Sequence, residues 1–219
     1  MLTQRLLEFS LLGAEWVLWL LIVLSAASVA VMADRWIFYW RTREGIASLE
    51  PALRQALKDG SLAAARELVV ADTFVRNVLR VGLEHVSRGG MDTEAVEQAM
   101  IGAIAKERAR YDSRLTVLAT IGNNAPFIGL FGTVIGIIMA FNQLGLATAD
   151  QNAAQVVMGA ISEALVATGV GIFVAIPAVA AYNWAKAHVG VRAKHAASLM
   201  GMLLAHHKYL DEDQEQINQ

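Results

Sequence analysis

The 219-residue chain has no cysteine, only three prolines and few charged residues, and each shortage closes off a class of protein. Without cysteine there can be no disulfide, no thiolate metal site and no cysteine nucleophile. With so little proline, helices can run long, and the chain is expected to be overwhelmingly helical. Charged residues make up 17% of the chain, whereas an ordinary soluble domain carries about 25%. Hydrophobic residues make up 56%, so the apolar surplus needs a solvent other than water. No basic face points to nucleic acid, and the net charge of -2 matters less here than where the charges lie. There is no Gly-x-x-x-x-Gly-Lys-Ser/Thr loop, so the chain has no visible way to use ATP; it is not expected to be an enzyme.

What is present is three long apolar runs. The first, Trp16 to Ala33, has Trp16 and Trp19 at one end and Trp36, Tyr39 and Trp40 at the other, the aromatic belt of a true span. Val31-Met32-Ala33 could pass as a signal-peptide cleavage site. The leader, however, sets Arg5 against Glu8 and Glu15, while Arg35, Arg41 and Arg43 follow the run, the reverse of a secretory signal. The predicted organisation is an all-α membrane protein with long helices extending into a cytoplasmic helical domain. It comprises an N-terminal periplasmic segment (1–15), a first span (16–36) and a helical domain (37–114). A second span with a cytoplasmic extension (115–146), a periplasmic turn (147–152), a third span (153–185) and a cytoplasmic tail (186–219) complete it. Arg and Lys cluster after span one, before span two and after span three, and the turn has none. The positive-inside rule then puts the N-terminus in the periplasm and the domain and tail in the cytoplasm.

Within the domain, Asp59-Gly60-Ser61 reads as a helix stop and the next N-cap. Gly89-Gly90 breaks the chain, and Asp92 caps a helix with Glu94 and Glu97 in its first turn. Residues 95–114 are expected to run straight into span two as one long helix, and 211–219 to be disordered.

The second and third spans carry the candidate site. Gly129, Gly132 and Gly136 put small residues on one side of span two; Ala160, Ala164, Gly171 and Ala175 do the same on span three. Such faces let backbones approach closely in lipid. Thr133 lies 16 residues before residue 149, near the middle of the turn, and Thr168 lies 19 after it. Antiparallel spans therefore put both hydroxyls at nearly one depth, mid-membrane. Each hydroxyl read alone bonds back to a carbonyl four residues earlier, at Gly129 and Ala164. Glu163 is the one acidic residue within the second and third spans, and a buried carboxylate there marks a site, either for assembly or for ion passage. It sits five residues before Thr168, about 140° around the helix. Pro126 and Pro177 are expected to bend their helices. His206-His207 lacks a third metal ligand at helical spacing and reads as part of a solvated tail.

Two segments match a known hairpin in order, spacing and topology. They are residues 121–136, with Pro126, Gly129, Gly132, Thr133 and Gly136, and residues 161–183, with Glu163, Thr168, Gly171 and Pro177. This pair closely resembles the hairpin of the ExbB/TolQ/MotA superfamily, over about residues 95–190. Three spans favour the ExbB/TolQ branch, since the flagellar branch typically has four. Asn123-Asn124 departs from the best-known members, where smaller or less polar residues are expected. The resemblance implies a bacterial inner-membrane stator subunit of a proton-driven motor, with protons as the transported ion and no cofactor. It implies a homo-pentamer enclosing helices of an ExbD/TolR-type single-span partner that carries an intramembrane Asp. Thr133 and Thr168 would then line the interior and support proton passage, with Glu163 either on the proton pathway or at a subunit contact. The load could be a TonB/TolA-type protein or gliding machinery. A non-conducting scaffold would predict a hairpin free of ionisable residues, which Glu163 contradicts. A solute transporter would predict an inverted repeat, and none is found.

Overall fold

The computed structural model describes residues 15–87, 92–146 and 153–217, and every regular element among them is an α-helix. In chain order these are α1 (Glu15–Arg41), α2 (Ile46–Lys58), α3 (Leu62–Glu67), α4 (Phe74–Val86), α5 (Thr93–Asp112), α6 (Leu115–Leu146) and α7 (Ala153–Ile217). The leader before residue 15, the Gly89-Gly90 break and the 147–152 turn lie outside the described residues. The chain divides into two compact units. The first draws on Met1–Arg35 and Arg114–Trp184, the second on Trp36–Ser113 and Ala185–Gln219.

The first unit contains the membrane-crossing parts of α1, α6 and α7, the three helices long and apolar enough to span a bilayer. Its interior is built from small and medium side chains: Val17, Leu21, Ala125, Ile135, Val174, Ala175 and Ala178. Large apolar groups stay outside, among them Trp19, Val23, Phe127, Phe173 and Ile176. In water that distribution would be an error. In lipid it costs nothing, because hydrocarbon tails solvate Phe and Ile as well as a core does.

The second unit follows the rules of water. Its helices bury one stripe each: Leu49, Leu53, Ala56 and Leu57 on α2, and Phe74, Val75, Val78, Leu79 and Leu83 on α4. Gly60, at φ 65°, ends α2 in the left-handed conformation glycine adopts freely. The Ser61 hydroxyl then accepts from the Ala64 N–H at 3.2 Å to start α3. Asp92 likewise accepts from the Glu94 N–H at 3.3 Å at the head of α5.

Two expectations are corrected. α5 does not continue into α6: Ser113 takes an extended ψ of 137° and Arg114 a left-handed φ of 65°, so the helix breaks there. A non-glycine residue in that region is strained by roughly 1–2 kcal/mol. The Arg114 guanidinium is held 2.8 Å from Asp34, which ties the break to α1. The tail is not disordered at 211–217, because α7 runs 65 residues to Ile217. An apolar stripe at three- and four-residue intervals, Val189, Ala193, Ala196, Leu199 and Leu203, all buried, carries the helix beyond the span as far as residue 203.

Candidate functional site

In the membrane hairpin, α6 and α7 meet along their glycines. A Cβ added at Gly129 would stand 2.6 Å from the Ala167 carbonyl oxygen and 3.0 Å from the Thr168 Cα. At Gly171 it would meet the Ala125 oxygen at 2.6 Å and the Gly129 Cα at 3.1 Å. Gly136 faces Ala164 in the same way, and Gly132 sits between Ala167 and Val17 of α1. Backbone therefore touches backbone, which only the absence of a side chain allows. Pro126 and Pro177 lie inside α6 and α7, which stay helical through both.

The same contacts set the depth of the two threonines. Gly132 touches Ala167 and Gly129 touches Thr168, so Thr133 and Thr168 lie within about one helical turn of the same level. Their hydroxyls differ. Thr133, 9% exposed, donates to the Leu130 carbonyl at 2.6 Å, three residues back rather than four. The Thr168 hydroxyl is buried and has no hydrogen-bond partner among the described residues, so it does not bond back to Ala164. A buried hydroxyl left unpaired costs about 1–3 kcal/mol.

Glu163 is not buried within the chain. It projects from the outer surface of the hairpin next to exposed Ser162, and no ion pair or hydrogen bond reaches it among the described residues. A carboxylate on that surface must meet water, another polypeptide or a proton, since lipid offers it nothing.

A second cluster, in the second unit, was not legible as a site. Arg192 is 5% exposed, and among the described residues no carboxylate lies at ion-pair distance from it. Its guanidinium lies 4.9 Å from the Tyr111 ring centroid and 5.7 Å from that of Tyr39, and it donates to the Thr42 hydroxyl at 3.2 Å. Two aromatic faces and a hydroxyl thus replace its hydration. The Tyr39 hydroxyl donates to the Tyr111 carbonyl at 2.9 Å, and the Tyr111 hydroxyl accepts from the Phe74 N–H at 3.1 Å. Glu44 accepts from the Val75 N–H at 2.7 Å, so side chains from elsewhere in the unit cap α4. Burial pushes the Tyr111 phenol up. Burial, with Arg192 and Arg43 nearby, pulls the His188 imidazole down. Nearer the surface, the Arg110 guanidinium grips Asp72 through two bonds of 2.7 Å, with Asn77 donating as well, and holds that carboxyl at about 2. Sequence reading counted Arg192 only as an orientation signal, and nothing in its neighbours' identities marks it as buried. His207 is buried too, rather than solvated, and no group of three metal-ligating side chains occurs among the described residues.

An integral membrane protein with three apolar helices, two of them fused along glycines around a pair of threonines, is the class these features define. The chain belongs to the MotA/TolQ/ExbB proton channel family, whose model matches residues 70–197, from the start of α4 well into α7. Among curated relatives, it is 43% identical over 120 residues to the Tol-Pal system protein TolQ of Pseudomonas aeruginosa, a match covering 51% of each chain. It is 37% identical over 178 residues to the biopolymer transport protein ExbB of Neisseria gonorrhoeae, covering 75% of this chain and 78% of that one. The ExbB of Xanthomonas campestris pv. campestris is 44% identical over 103 residues, 40% of its length. The chain thus spans about half of the TolQ relative and more than three quarters of the gonococcal one.

Proposed function

We propose that this chain is the proton-channel stator subunit of a bacterial inner-membrane motor that turns proton motive force into mechanical work on the cell envelope. The observation that carries the reading is the coincidence of two things: the proton-channel family match, and a hairpin with two mid-span hydroxyls and one unpartnered carboxylate. A hydroxyl cannot hold a proton near neutral pH, so Thr133 and Thr168 hydrate and relay. The titratable partner is an intramembrane aspartate on an ExbD/TolR-type single-span subunit. Five copies of this chain surround that subunit's helices, with the N-terminus periplasmic and the second unit cytoplasmic. A TonB-, Tol-Pal- or gliding-type machine receives the work. The small-residue faces support close assembly, and exposed Glu163 finds its surroundings at a contact between subunits or in the lumen.

The test is the double substitution Thr133→Val/Thr168→Val. Among the described residues the Thr168 hydroxyl has no partner to lose, and Thr133 loses one short-range bond. Even an interhelical bond averages only about 0.6 kcal/mol in membranes, so assembly should be unaffected. A ring of added methyl groups should dewet the path. The expected outcome is normal recovery of the complex by pull-down with loss of the phenotype that the gene restores in a deletion strain. Full activity in a normally assembled complex would remove both threonines, and with them the channel reading, in favour of a scaffold.

A further inference from the structure

Three stretches of chain far apart in sequence are clamped together by one cation. Arg192 of α7 lies against the rings of Tyr39 from α1 and Tyr111 from α5, and it donates to the hydroxyl of Thr42, just beyond α1. All four residues are buried. A guanidinium does not lose its proton in a protein, so the charge at the centre of this clamp is fixed. Of the groups described against it, Tyr39, Thr42, Tyr111 and His188, only the imidazole changes charge near neutral pH.

His188 stands one turn before Arg192 on α7, with its Nε2 3.4 Å from an Arg192 Nη. Arginine has five N–H donors and no acceptor, so the imidazole nitrogen that faces it offers a lone pair. The observed arrangement therefore belongs to neutral His188, with its proton on Nδ1. Protonation would replace the lone pair with a second N–H and set two cations face to face. The neighbouring elements do not offset them. From the end of α1 come the Tyr39 ring, 5.8 Å from the imidazole, and then Arg43, a further positive charge. From α5 comes Tyr111, whose ring already lies against Arg192. The carboxylates on the same stretches are engaged elsewhere: Glu44 accepts from the Val75 N–H at 2.7 Å, and Asp112 from Lys186 at 2.8 Å.

We propose that His188 is a proton-operated latch on this clamp. Neutral, it leaves Arg192 holding α7 to Tyr39, Thr42 and Tyr111; protonated, it expels the guanidinium and frees the three stretches from one another. The closed clamp binds fewer protons than the open one, so it is shut at high pH and opens as pH falls. The latch itself needs no ion flow. Its use as feedback rests on the channel reading: protons discharged on the side that carries the second unit open the clamp there, and the chain yields to its own output.

Amide exchange of the complete complex, read peptide by peptide and corrected for the intrinsic effect of pH, tests the latch between about pH 7.5 and about pH 5. In the parent, segments 36–44, 106–112 and 186–194 should exchange at least about tenfold faster at the lower pH, while the segments of the first unit hold. His188→Gln keeps an acceptor toward Arg192 and takes no proton, so its corrected rates should be equal at both pH values. The other four histidines are common to parent and variant and drop out of the comparison. Should His188→Gln be loose already at the higher pH, Arg192→Met decides: with the fixed charge gone, protonation of His188 meets no repulsion, and acid should no longer speed exchange. An acid response that persists in both variants would overturn the latch. So would a parent that does not respond, or one that loosens equally in the first unit. The threonine double variant, assayed separately for function, keeps the two readings apart. If it is assembled and active the channel reading falls while the latch stands on its exchange data, and a failed exchange test leaves the channel reading untouched.

Discussion

A Cβ placed on Gly129 in the membrane unit would stand 2.6 Å from the Ala167 carbonyl oxygen; one placed on Gly82 in the second unit would stand 2.5 Å from the Met100 sulfur. The distances are nearly equal and the obstacles are not. Ala167 offers backbone, fixed by a helix. Met100, with the Leu203 Cδ2 beside it at 2.7 Å, offers the free ends of flexible side chains. The two units differ throughout in this way. Where water drives burial, helices are held by soft apolar side chains, caps and ion pairs. Where lipid removes that drive, they are held by the distance of closest approach. A glycine is thus a spacer in one unit and close to a replaceable residue in the other.

The largest expected effect sharpens that contrast. Gly129→Ala should cost at least about 2 kcal/mol, since overpacking against an immovable neighbour runs to about 1–3 kcal/mol and more. Gly82→Ala should stay within about 1 kcal/mol of the parent, because alanine's helix propensity offsets the cost of shifting Met100. Unfolding of the purified protein in detergent, followed by circular dichroism, measures both. Similar losses at the two sites would break the comparison.

Next in size is Tyr111→Phe. It keeps the ring under Arg192 and removes the hydroxyl that accepts from the Phe74 N–H and also meets the Thr42 side chain. Leaving that buried donor unpaired should destabilise the second unit by about 1–3 kcal/mol. The first unit should keep its protection when amide exchange is read segment by segment; equal loosening of both would mean they do not fold as separable units.

The smallest effect is a pH dependence. The folded His188 imidazole titrates below its ordinary value because burial comes first, and Arg192 and Arg43 add to it. The folded state therefore favours neutral His188. Its contribution is fully present above about pH 6.5 and is lost as pH falls from there toward the lower folded value. The apparent Tm of the second unit should drop on acidification through that window, and His188→Asn should flatten the slope. An unchanged slope in the variant would remove His188 as its source.

The three spans, the glycine contacts and the shared depth of the threonines could all be read from sequence, because in lipid they depend on composition and spacing alone. Three things could not. The break at Arg114 depends on a backbone conformation that arginine rarely adopts, with no adjacent glycine or proline to announce it. The helical tail hides its stripe among alanines, whose burial only shows once α4 and α5 are in place around Gly82, Met100 and Leu203. Arg192 looked like one more interfacial cation, since its aromatic cage is assembled from Tyr39 and Tyr111, 72 residues apart in sequence. Glu163 was legible as a residue, and a single chain leaves it exposed, since the surroundings its carboxylate needs are not supplied within one chain.

The contact of Gly171 with Gly129 also has a mechanical meaning. Two rods whose backbones already touch cannot be pressed closer, and sliding one along the other would lift Ala167 off Gly132 and Ala164 off Gly136 and drive both into the side chains that flank those glycines. The hairpin therefore has high stiffness in both compression and shear and behaves as a single beam. Any displacement of the hairpin is therefore borne at its outer faces, where Glu163 stands exposed, and not along the seam between α6 and α7.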